Sequence, residues 1–71
     1  MQYQDEQWHA AQDMTARVLA LNVAGSLRDG LDAAGIEEAL LIASYSPNRS
    51  RRIAAQVVAD IERWAQEEND D

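Results

Sequence analysis

From position 47 onward, apolar residues return every three or four positions. Ile53, Ala54, Val57, Val58, Ile61, Trp64 and Ala65 form one stripe of a 3.6-residue repeat, with Arg52, Gln56, Glu62 and Arg63 opposite. This spacing predicts an amphipathic helix over about 47–67. Ser46 is a good N-cap for it, and Pro47 suits the first helical position, where its missing N–H costs nothing. The residues 68–71 that follow are an acidic, fraying tail.

Upstream, Ile36 to Tyr45 is apolar apart from Glu37, Glu38 and Ser44, which predicts a short buried helix over about 36–45. The two glutamates suit a helix start, where the macrodipole favours negative charge. A buried strand over Leu40 to Tyr45 would lack a second strand to pair with. Before this segment, a long helix is expected over about 5–33, opened by Asp5 and Glu6 and ending between Arg28 and Ala34. Gly35 would be the left-handed residue after its last turn, with Ile36 packing back. The chain is therefore expected to be all-α, with three helices in a long, short, long order.

The long helix carries apolar residues on two sides. At 100° per residue, Tyr3, Ala10, Ala11, Met14, Val18, Leu21 and Gly25 share one side, while Ala16, Ala20, Val23, Ala24, Leu27 and Leu31 lie roughly opposite. Two shorter helices of the same chain can cover one of these sides. Covering both calls for a second copy, so a homodimeric helical bundle is expected, with two-fold symmetry the usual arrangement. Its interface candidates are Met14, Val18, Leu21, Val23, Leu27, Leu31, Val57 and Ile61. A monomeric bundle, kinked at Gly25 so that both stripes reach one core, is the alternative.

Composition narrows what such a bundle can rest on. The chain has 71 residues, no cysteine and one histidine, so neither a disulfide nor a closed metal site can supplement a small core. A net charge of −7 sits beside 46% hydrophobic residues, too many for an acidic disordered segment. No apolar run is long enough to span a bilayer, and Met1 to Trp8 does not resemble a signal peptide, so a cytoplasmic protein is expected. All six basic residues are arginine, alanine is abundant and phenylalanine is absent; this bias suggests a GC-rich bacterial or phage genome.

Half of those arginines cluster at the start of the third helix. Arg49, Arg51 and Arg52 occupy the positive end of its dipole, and Glu67, Glu68, Asp70 and Asp71 the negative end, opposite to what the dipole favours. Three readings stand. Antiparallel copies of this helix could set arginines beside carboxylates; the arginines could bind nucleic-acid phosphates; or they could simply be solvated. The phosphate reading gains from a partial helix-turn-helix pattern in Ala39, Ile42, Ala43 and Ser46-Pro47. Against it, Arg49 and Arg52 stand where that motif wants buried apolar residues, and thirteen carboxylates oppose a phosphate surface.

Catalytic chemistry would have to start from His9, four residues before Asp13, with a serine such as Ser26 or Ser44 as nucleophile. No nucleophile elbow, phosphate cradle or metal-ligand pair accompanies them, so no catalytic, cofactor or metal residue is assigned. Trp8 and Trp64 join the three arginines as partner-binding candidates, because tryptophan buries a large area while keeping a polar edge. Tyr45 is expected to cap the second helix. The sequence thus points to a non-enzymatic regulatory or inhibitory module, homodimeric, whose acidic surface docks on a basic partner protein. A helix-turn-helix-like DNA-binding regulator using Arg49, Arg51 and Arg52 is the alternative.

Overall fold

In the computed structural model, α1 spans Gln2–Ser26, α2 Ala33–Ile42 and α3 Pro47–Asn69. The structure describes the backbone of residues 2–27, 30 and 32–69, and the side chains of 5–27, 30 and 32–68. Among these there is no strand, and the all-α architecture with a long, a short and a long helix is as the sequence pattern predicts.

The first boundary falls earlier than expected. α1 stops at Ser26, whose hydroxyl donates to the Val23 carbonyl at 2.8 Å, and the Leu27 N–H tightens the turn onto the Ala24 carbonyl. Gly25 and Ser26 are weak helix formers, and a serine hydroxyl that bonds back to the helix offers the chain an exit. Gly35 is not the glycine that ends this helix. Gly35 lies inside α2, and the glycine with positive φ is Gly30, at 110°, four residues beyond the last residue of α1.

α2 begins at Ala33 because Asp32 caps it: Asp32 has extended backbone angles, and its carboxylate accepts from the Ala34 N–H at 3.0 Å. Glu37 and Glu38, expected at the helix start, therefore sit more than a turn inside it. The C-terminal end is a Schellman turn. Ser44 N–H donates to the Leu41 carbonyl and Tyr45 N–H to the Leu40 carbonyl, at 2.9 and 3.1 Å. Ser44 occupies the left-handed position at φ 76°, where glycine is usual. Ser46 then caps α3, its hydroxyl accepting from the Arg49 N–H at 3.2 Å, and Pro47 is the first helical residue, as its placement in the sequence predicts.

The chain runs up, down and up. His9 and Asp13 of α1 meet Arg49 and Arg52 of α3, and Arg17, one turn further along, meets Asp60. α1 and α3 therefore run in the same sense, with α2 returning between them. The core consists of Ala16 and Ala20 from α1, Ile36 and Leu40 from α2, and Ile53, Ala54 and Val57 from α3. The fully buried positions of α1 are both alanine, so its backbone sits close to its neighbours. The molecule is 48 Å long but only 16 Å thin in its narrowest direction, little more than one helix with its side chains. A body this thin leaves every helix an open side.

Two sites are under local stress. A non-glycine residue in the left-handed region costs about 1 kcal/mol, so Ser44→Gly should raise the unfolding free energy by about that amount in urea titration. Ser50 is fully buried and, among the described residues, its Oγ has no hydrogen-bond partner. Ser50→Ala should stabilise the fold by about 1 kcal/mol by removing that unpaired group, whereas a loss of stability would mean the hydroxyl is bonded in solution.

Candidate interaction surface

The arginine cluster is divided by the fold. Among the described residues, Arg49 and Ser50 are the buried polar ones, and the Arg49 guanidinium is held on three sides. Its Nε donates to Asp13 Oδ1 at 2.8 Å, its Nη2 lies 2.8 Å from His9 Nδ1, and its Cζ stands 5.4 Å from the centre of the Trp8 ring. The Trp8 ring packs edge-on against His9. A desolvated cation needs such a set, because a buried guanidinium without a carboxylate is strongly destabilising. Arg52 approaches the same carboxylate from its exposed side, donating to both Asp13 oxygens at 2.9 and 3.0 Å.

Asp13 is therefore the hub joining α1 to the start of α3. It also supplies the negative charge that the first turn of α3 lacks in its own sequence. Hydrogen bonds from Arg52 and then Arg49 hold its carboxyl at about 2, well below the usual carboxylate range. A second hub lies further up the same interface, where Asp60 accepts from Arg17 at 2.6 Å and from Arg63 at 3.1 Å. Neither hub was visible from sequence. Asp13 stands four residues after His9, which suggests a pair within α1, and a contact across 36 positions leaves no periodic trace.

The two apolar sides of α1 fare differently. Ala16 and Ala20 are in the core, with Val23, Ala24 and Leu27 partly buried against it. The opposite side stays open, with Met14 69% and Val18 56% exposed and Ala10, Ala11 and Gly25 exposed as well. Leu21, at the edge of this side, is half-buried against the core. Between Ala10 and Ser26 the outward positions carry no charge, since the charged residues there, Asp13 and Arg17, both turn to α3. The result is an uncharged apolar face about 24 Å long at the helical rise per residue.

The remaining candidates scatter. Val57 is fully buried in the core, and Ile61 is partly buried against it, so neither lies on an open face of the single chain. Leu31 lies outside the described residues, as does the side chain of Tyr3. Trp8 is 55% exposed and Trp64 41%, at opposite ends of the body. Arg51 is exposed and, among the described residues, forms no ion pair. Tyr45 is partly buried against the core just beyond α2, and exposed Leu41 and Ile42 form a smaller apolar spot at that helix end.

Among the described residues there is no cavity, no metal-binding group of side chains, and no helix long and apolar enough to cross a membrane. Comparison with models of protein families, with curated proteins and with solved structures finds no match.

The Asp13 hub gives the fold a measurable acid dependence. In the unfolded chain this carboxyl titrates near the usual value, about 3.9. Its contribution to stability is therefore complete above that pH and is lost as the pH falls toward 2. Asp13→Asn should cost about 2 kcal/mol at neutral pH, because it leaves the Arg49 charge buried without its anion. It should also flatten the stability profile between about pH 4 and pH 2 in denaturant titrations. A variant with wild-type stability and slope would show that the hub does not hold α1 to α3.

Proposed function

We propose that the chain is a non-enzymatic regulatory or inhibitory protein-interaction module, which pairs with itself and presents an acidic outer surface to a basic partner protein. The observation that carries this reading is how charge is shared between the inside and the outside. Of the five arginines with described side chains, Arg17, Arg49, Arg52 and Arg63 are turned onto Asp13 and Asp60. Asp5, Glu6, Glu38, Glu62, Glu67 and Glu68 are exposed, with no ion pair among the described residues. Arg17, Arg49 and Arg52 thus pair across the α1–α3 interface and Arg63 pairs on the surface of α3, so these cations are neutralised while the unpaired carboxylates are left for solvent, an arrangement that attracts a positively charged surface. The open apolar face of α1 supports self-pairing as the second part of the same reading.

A DNA-binding regulator is the second reading, and exposed Arg51 at the start of α3 favours it. For Arg49 and Arg52 to reach phosphate, however, Asp13 would have to release them, at the expense of the α1–α3 contact. Phosphate affinity grows with the number of neutralised phosphates, and the one arginine without an ion pair among the described residues, amid exposed carboxylates, supplies little.

The test is a pair of binding measurements on the purified protein. Mobility-shift titration with mixed-sequence duplex DNA should show no complex at micromolar protein. Binding to an immobilised basic protein partner from the native host should weaken steeply as salt is raised above about 0.15 M, where the screening length is about 8 Å. Tight DNA binding that Arg51→Ala abolishes would replace this reading with the regulator.

A further inference from the structure

We infer that the uncharged face of α1 is the seat of a second copy of the same helix, running antiparallel across a two-fold axis. The inference rests on the self-pairing reading above and specifies its surface and its direction.

The spacing on this face is the first argument. Ala11, Met14, Val18, Leu21 and Gly25 follow one another at intervals of three, four, three and four. This is the a/d repeat by which two helices interlock along a seam. On a lone amphipathic helix such a seam faces its own core. Here Ala11, Met14, Val18 and Gly25 lie opposite the core, which α1 meets through Ala16 and Ala20, while Leu21 flanks the seam, half-buried against the core. Met14 and Val18, at the centre of the seam, are the most exposed large hydrophobic side chains among the described residues of the helix.

Charge selects the occupant. A basic partner would seek carboxylates, and between Ala10 and Ser26 this face has none, since Asp13 is turned to α3 beneath Arg49 and Arg52. Two copies of a chain with net charge −7 repel one another over most of their surface, and this face is where they can meet without opposing charges of one sign. Thr15 and Asn22, both exposed and uncharged, line one edge of the seam, and Ala10 lies along the other.

Side-chain volume selects the direction. A parallel pair would set Gly25 against Gly25 and Ala11 against Ala11, leaving gaps, and would crowd Met14 against Met14. An antiparallel pair instead lays Met14 of one copy over Gly25 of the other and Val18 over Leu21, so bulk meets space at each layer. Antiparallel α1 helices also align their dipoles head to tail. Gly25 has the room, since a Cβ built there meets nothing within 4 Å in the single chain. Its small size is thus unexplained by intrachain packing. With so short a seam the interface falls at the small end of the size range, where association is weak and depends on concentration.

The experiment is sedimentation equilibrium on the full chain and four variants, each checked for helicity by circular dichroism. Wild type should show a monomer–dimer equilibrium, and Val18→Glu, at a position more than half exposed in the single chain, should be monomeric with unchanged helicity. Gly25→Leu should weaken the dimer by about tenfold or more, because the new side chain collides with Met14 of the other copy. Met14→Ala should weaken it as well, and the double variant Met14→Ala/Gly25→Leu should recover most of the loss by exchanging bulk and space. A dimer tightened by Gly25→Leu, or a double variant weaker than both single ones, would overturn the antiparallel seam in favour of a parallel one. A wild-type dimer indifferent to Val18→Glu would overturn the choice of face while leaving self-pairing intact, and a strictly monomeric wild type would remove both.

Discussion

The rest of the structure follows from one constraint: α1 has two apolar sides, and the remaining chain can cover only one. α2 is a helix of ten residues and α3 meets α1 along a single interface. Together they bury Ala16 and Ala20, shelter Val23, Ala24 and Leu27, and leave Met14 and Val18 in water. With seven buried hydrophobic residues among those described, the core sits at the lower end of what sustains an independent fold. The ion pairs gain weight in such a molecule. Asp13 and Asp60 each gather two arginines across or beside the α1–α3 interface, where apolar contact is thin because the buried residues of α1 are alanines.

This arrangement explains the odd distribution of charge. Arginines at the start of α3 oppose its dipole, and no carboxylate in the first turn of that helix offsets them. The remedy comes from another helix. Asp13 sits between Arg49 and Arg52, so groups that look misplaced in the sequence of α3 are well placed in the tertiary structure. The same pairing buries Arg49 and neutralises Arg17, Arg52 and Arg63, and the exposed unpaired carboxylates of α1, α2 and α3 then dominate the outside.

How much of this is legible in the sequence depends on the range of the interaction. Periodicity revealed the all-α class, the amphipathic third helix, the Ser46-Pro47 start and the two sides of α1, because each is a local repeat or a local cap. It could not rank the two sides. Wheel position says that Met14 and Val23 point in different directions, but which faces the core depends on where α2 and α3 settle. Val57 and Ile61 were drawn into the interface candidates for the same reason, although the first is fully buried within the chain. Gly35 reads as a helix end because a glycine before an apolar residue fits that pattern, but the cap made by Asp32 starts α2 before it and places Gly35 inside that helix. The hub at Asp13 joins residues 36 and 39 positions apart and is a product of packing alone.

The most direct measurement is a dilution series followed by amide NMR on labelled full-length protein. If the open side of α1 is the surface that a second copy covers, resonances of Ala11, Met14, Val18, Leu21 and Gly25 will shift between roughly 10 μM and 1 mM, the range expected for a weak interface. Those of the core residues Ala16, Leu40 and Val57 will stay nearly fixed. Spectra that superimpose across the whole range would contradict the account, since Met14 and Val18 would then be facing water and nothing else.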